Sequence, residues 1–194
     1  IKFDAEIPVV HGGVDYRRMV EELKAIDEII TASKMEDPVI RHWLDLHQRR
    51  LNEQLMDAGK RPRELRWKEQ TKIQERAITA LRATILRKLR GSSLREFCNE
   101  LALAPLLQSF CRINRFGGAK VHGKSTQESF EKDIPVALVR EIDALPIKCA
   151  ATTSEDGTNV LGLPQPVSLE NCYLDACALT ANIHFPVDWV LLRD

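Results

Sequence analysis

Net charge is what this sequence most plainly lacks. Its 194 residues carry 28 Lys and Arg against 28 Asp and Glu, so bulk charge selects no partner of either sign. Paired cysteines are missing too. Cys98, Cys111, Cys149, Cys172 and Cys177 are odd in number and none sits in a CxxC pair. That argues against a disulfide framework or a zinc site, and it fits reduced, mostly core thiols in a cytoplasmic protein. No apolar run approaches the length of a membrane span and no signal peptide opens the chain, so no membrane partner is expected. There is no internal repeat and no glycine-rich phosphate loop of the P-loop kind. The first residue is Ile1 rather than Met, which is expected of an incomplete N-terminus. The length suffices to bury a core and to hold one large or two small domains.

What is present is a succession of amphipathic helices. Residues 1–13 form an extended lead-in broken at Gly12-Gly13. From Val14 to Ser33 the apolar residues Met19, Val20, Leu23, Ile26 and Ile30 share one helical face. Asp37-Pro38 is a helix start, with Asp as N-cap and Pro at the first helical position. The helix it opens carries Ile40, Trp43, Leu44, His47, Leu51 and Leu55 on one stripe and ends near Gly59. His42 and His47 are not set in metal-ligand order, so a packing or solvated role is expected. The longest periodic segment is Arg63 to Arg90. Ile73, Ala77, Leu81, Ile85 and Leu89 recur every four residues, with Ile78 and Leu86 alongside. This predicts a helix of about 40 Å at about 1.5 Å per residue, closed by Gly91. The stripe fits the spine of a helical domain, or a short coiled coil and hence a homodimer contact.

Charge is distributed unevenly. Between Arg41 and Arg90 there are 14 Lys and Arg but 6 Asp and Glu. A basic helical stretch can track phosphates; equally, it can be a solvated face with local pairs such as Glu64–Lys68 and Glu69–Lys72. Ser93-Leu94-Arg95-Glu96 has the capping-box pattern and opens a helix with Leu94, Phe97, Cys98 and Leu101 inward. Ala104-Pro105 starts a shorter helix. Phe116-Gly117-Gly118 reads as a turn, and Ser125 with Glu128 as a second capping box opening a helix with Phe130 inward. Helix, helix, turn and helix, approached by Arg112, Arg115, Lys120 and Lys124, is the layout of a helix-turn-helix DNA reader. A plain helical bundle produces the same apolar pattern. In the DNA-reading arrangement, Lys124 and the amides that start the last helix face phosphate. Pro135 to Leu145 forms one more helix, ended by Pro146. Residues 150–170, rich in Thr, Ser, Gly, Asn and Pro, are the linker, with a short strand at Val160-Leu161.

The final stretch is different. Asn171 to Ala178 is short, apolar and partly aromatic, as a buried strand is, and it contains Asp175. A carboxylate there is costly unless it is paired or holds a cation; the alternative is a strand edge open to water. Ile183 to Phe185 suits a second strand, ended by Pro186, and Asp188 suits a helix cap.

Asp175, Asn182-Ile183-His184-Phe185-Pro186, Asp188, Leu191-Leu192 and Asp194 together resemble the first catalytic block of DDE transposases of bacterial insertion sequences. Asp175-Ala176-Cys177 stands where that family has Asp-Thr-Thr. Gly91-Ser92-Ser93-Leu94-Arg95-Glu96, Pro105-Leu106-Leu107, and Gly123-Lys124-Ser125-Thr126 with Phe130-Glu131-Lys132 and Ile134-Pro135 are similar to the N-terminal region of the same enzymes, with Gln127 in place of the usual Leu.

The resemblance covers about residues 90–194. It implies a mainly α chain: a helical DNA-binding domain over 1–149, a linker over 150–170, and the first strands of an incomplete RNase H-like α/β domain over 171–194. It implies double-stranded DNA as partner, engaged at terminal inverted repeats, with Lys124, Ser125 and Thr126 in contact. It implies Asp175 as the catalytic carboxylate that ligates Mg2+, an ion suited to hard oxygen ligands and to in-line phosphodiester chemistry. The family's second and third acids come from farther downstream, so this stretch alone is not expected to cleave DNA. Two other readings stay open: a non-catalytic DNA-binding regulator, and a helical oligomerisation protein built on residues 63–90.

Overall fold

The computed structural model describes Ile7 and residues 11–113, 119–153 and 159–168. Most of these are helical: α1 (Val14–Ala32), α2 (Glu36–Asp57), α3 (Trp67–Arg90), α4 (Leu94–Leu103), α5 (Pro105–Phe110), α6 (Lys124–Lys132) and α7 (Val136–Ala151). The chain is mainly α, as its periodicity predicts. Among the described residues, β pairing is limited to an isolated bridge between Thr153 and Asn159. The strands expected over 171–194, with Asp175, lie outside the described residues.

α3 is the spine. It packs most extensively on α2, then on α6. Four consecutive residues in its middle, Ala80, Leu81, Arg82 and Ala83, are all buried, so the helix is enclosed on every side there. The three alanines Ala77, Ala80 and Ala83, each wholly buried, let neighbouring helices approach closely. The apolar stripe is therefore consumed inside the chain, and the coiled-coil alternative loses its seam. Leu89, expected at the end of that stripe, is 63% exposed. A four-residue repeat advances about 40° per step on an α-helix, so four steps carry Leu89 well away from the face that Ile73 occupies. Gly91 ends α3 in the left-handed region at φ 63°, as expected.

Several boundaries fall elsewhere than the sequence suggests. α3 starts at Trp67 rather than Arg63 because α2 holds the preceding backbone extended. The Gln48 amide donates to the Arg63 carbonyl (2.8 Å) and accepts from Leu65 N–H (2.9 Å). Glu69, expected to pair with Lys72, instead receives a two-pronged bond from Arg63 (2.8 and 2.8 Å) and the Arg66 N–H (2.7 Å). Those bonds hold its carboxyl down at about 2. α2 begins at Glu36, so Asp37 is not its N-cap and Pro38 is the third helical residue, still in the first turn where a missing N–H leaves no bond unmade.

Pro146 does not end α7; the helix continues to Ala151. The continuation is tied down from beyond. Asn159, 7% exposed, donates from its side-chain amide to the carbonyls of Cys149, Ala150 and Thr152 (3.2, 2.8 and 3.0 Å). Val160-Leu161, expected as a short strand, is a turn, closed by Leu161 N–H donating to the Asn159 side-chain oxygen (2.8 Å) and Gly162 N–H to its carbonyl (2.9 Å). The Ser93–Glu96 capping box forms as expected. The one at Ser125–Glu128 does not: α6 starts at Lys124 with Gly123 as N-cap, and Glu128 pairs with Lys132 at 2.8 Å.

Candidate nucleic-acid interface

Half of the 14 cations of residues 41–90 are in ion pairs: Arg41, Arg50, Arg63, Arg82, Arg87, Lys88 and Arg90. Apart from Glu69, which binds Arg63, their acidic partners come from outside that stretch. The most buried case is Arg82, 1% exposed, whose guanidinium donates to Asp27, Glu36 and the Phe110 carbonyl. Arg112, one of the expected DNA-approach residues, donates to both oxygens of Asp27 (2.8 and 3.1 Å). Two guanidinium groups and two carboxylates thus form an internally neutral cluster joining α1, α2, α3 and the end of α5.

Two of the seven other cations of that stretch, Lys72 and Arg76, meet Lys120 above this cluster. A hollow of about 930 Å3 opens between α3 and the approach to α6. Its floor includes Arg82 and Arg112; Lys72, Arg76 and Lys120 line its rim. These three are exposed and form no ion pair among the described residues. Of the two lining carboxylates, Glu36 binds Arg82 and Glu75 is exposed, so three cations stand against Glu75 and the lining keeps an excess of positive charge. Ile78, Ile113 and Val121 supply apolar wall, and Thr79 and Thr126 bring hydroxyls.

α6 closes one side. Its N-cap, Gly123, is extended and offers no side-chain cap, so the amides of Lys124 and Ser125 have no protein partner among the described residues. Lys124 and Ser125 are exposed, and Thr126 is half-buried against the hollow. The structure therefore brings the three sequence-predicted residues together at one helix start, beside cations that α3 contributes. Such a start, with free N–H groups and a favourable helix dipole, attracts anions.

The placement of α6 is over-determined. Phe130 is buried against Trp43 (ring centroids 5.6 Å apart) and His122 (5.0 Å), with the Arg76 guanidinium 5.4 Å above its ring. Gln127, fully buried, donates to Thr84 (3.3 Å) and Glu131 (3.2 Å) and accepts from His122 Nε2 (2.7 Å). This buried polar side chain is thus satisfied from three sides. Glu131 receives both prongs of Arg87 at 2.6 Å. Burial would raise its carboxyl, but the bonds from Arg87 and Gln127 prevail and lower it. His122 is lowered chiefly by burial, with Arg76 adding to the shift against the Gln127 bond.

Lys72 and Arg76 were not singled out by sequence reasoning. Their signal is the i, i+4 spacing that puts two cations on one face of α3; which face meets Lys120 is decided by packing. Arg115 and Phe116-Gly117-Gly118 lie outside the described residues, as does Asp175. Among the described residues no group of three or more His, Cys, Asp or Glu could hold a metal ion, and no helix is long and apolar enough to cross a membrane. His42 and His47 take packing roles: His42 Nε2 donates to the Asp133 carbonyl at 3.0 Å, and His47 lies beside Trp43, ring centroids 6.1 Å apart. No protein-family model, curated protein or solved structure matches the chain.

Proposed function

We propose that this chain is the helical DNA-engaging region and first catalytic block of a DDE transposase of bacterial insertion sequences. The observation that carries the reading is the run Asp175, Asn182-Ile183-His184-Phe185-Pro186, Asp188 and Leu191-Leu192, which keeps the family's unusual residues at the family's offsets. The partner is double-stranded DNA at the element's terminal inverted repeats, met by Lys124, Ser125 and Thr126. Asp175, on the first strand of an RNase H-like domain, would be one carboxylate ligand of Mg2+. The metal's chemistry is to stabilise the attacking and leaving oxygens of the phosphodiester. The chain's own residues supply duplex positioning. Exposure of Lys124 and Ser125 at an uncapped helix start supports the DNA contact.

The test is duplex binding by the full chain across a salt series. Affinity is expected to fall linearly with the logarithm of salt concentration, by about 0.9 log units per log unit of salt for each phosphate neutralised. Lys124→Ala should weaken binding to all sequences alike and reduce that slope by about 1. A chain that ignores duplex DNA even at low salt is not the DNA-engaging part of a transposase.

A further inference from the structure

We propose that the hollow between α3 and α6 seats a phosphodiester of the DNA backbone, held by Lys72, Arg76 and Lys120 together with the hydroxyls of Thr79 and Thr126. This rests on the DNA-binding reading above and assigns the main charge contact to α3 and Lys120 rather than to Lys124. Three observations carry it.

The first is charge accounting. Arg82 and Arg112 at the floor are matched by Asp27 and Glu36, so the floor contributes little net field. The lining holds two carboxylates, Glu36 and Glu75; Glu36 is taken by Arg82, which leaves Glu75 against Lys72, Arg76 and Lys120. Cations left unpaired around a concave surface concentrate positive potential there.

The second is shape. About 930 Å3 exceeds what a lone phosphate fills and admits the attached sugar. The apolar wall of Ile78, Ile113 and Val121 suits the carbon face of a deoxyribose, and the two threonines offer hydroxyl donors of the kind that bond phosphate oxygens.

The third is rigidity. Arg76 packs over the Phe130 ring, and Arg82 at the floor is locked by three acceptors. A seat whose walls are already fixed loses little freedom on binding.

The test compares two double variants of the full chain by fluorescence anisotropy on a labelled duplex. Lys72→Ala with Lys120→Ala removes two exposed rim cations that form no ion pair among the described residues and leaves the Phe130 packing and the Arg82 cluster intact. Lys60→Ala with Arg61→Ala removes the same charge from the α2–α3 connection, which does not line the hollow. The rim variant is expected to lose at least about tenfold in affinity and to flatten the salt slope by about 2; the connection variant should lose less than about threefold. Equal losses would mean diffuse attraction and overturn the seat. Absence of duplex binding by the unaltered chain would remove the DNA reading itself, whereas full binding by the rim variant would remove only this inference. Inorganic pyrophosphate, titrated alone, separates the two sources of phosphate. Saturable binding tighter than that of DNA, lost in the rim variant, would assign the hollow to a free polyphosphate and overturn the DNA source.

Discussion

Arg82 shows what a single residue settles here. By sequence it is one cation in a basic helix; in the fold it is 1% exposed and binds Asp27 and Glu36, themselves 21% and 23% exposed. Removing one member of a buried ionic group leaves the others desolvated and unmatched, at a cost of about 3–5 kcal/mol, less where water still reaches the partners. Arg82→Met is therefore expected to destabilise the chain by about 3 kcal/mol in urea unfolding, while Arg90→Ala, which breaks a partly exposed pair with Glu100, should cost no more than about 1 kcal/mol. Equal effects would show that the Arg82 cluster is no more structural than a surface pair. Cys111, beside the same cluster, has its thiol pushed up to about 12 by burial, so it behaves as a core residue.

At the scale of the element, end groups decide what periodicity leaves open. The interiors of α1, α3 and α4 follow their apolar spacing, and the Ser93–Glu96 box starts α4 where the pattern places it. The start of α3 and the end of α7 do not follow, because distant side chains hold the backbone there: Gln48 extends residues 63–65, and Asn159 satisfies three carbonyls past Pro146. Asn159→Ala should strip those acceptors of their donor and destabilise the chain by about 1–3 kcal/mol. The loss should be local, with faster amide exchange over residues 147–152 and little change in α3. An unchanged exchange pattern would mean that α7 persists past Pro146 without that cap.

For the whole molecule, acid stability follows from two half-buried imidazoles. His47 is lowered chiefly by burial, then by Arg50 and Arg76, with Asp133 opposing; His122 is lowered by burial and Arg76, with Gln127 opposing. Their folded pKa values lie below the unfolded value of about 6.5, so the unfolded chain binds more protons in that window. Stability is thus fully present above about pH 6.5 and declines as pH falls from there through the folded values. Carboxyls held low, Glu69 at about 2 and Glu96 and Glu128 in the same direction, add a second loss below their unfolded pKa of about 4.3. Urea unfolding between pH 8 and 5 should show the first decline, and His122→Gln should flatten it. Stability that rises toward pH 5 would contradict both assignments.

The sequence by itself determined the helical class and the number and order of the main helices. Spacing of apolar residues at 3 and 4 is a local property, and burial of that face stabilises each helix in nearly any packing. It also placed Lys124, Ser125 and Thr126 next to one another, because they are adjacent in the chain. Only the tertiary structure decided which basic residues are in ion pairs. The basic stretch 41–90 reads either as a phosphate-tracking face or as a solvated face with local pairs, yet seven of its 14 cations are taken by ion pairs, most with acids outside the stretch. Of the seven others, Lys72 and Arg76 meet Lys120 across a hollow. Pairing over tens of residues depends on which faces pack, and a one-dimensional charge count contains no information about that.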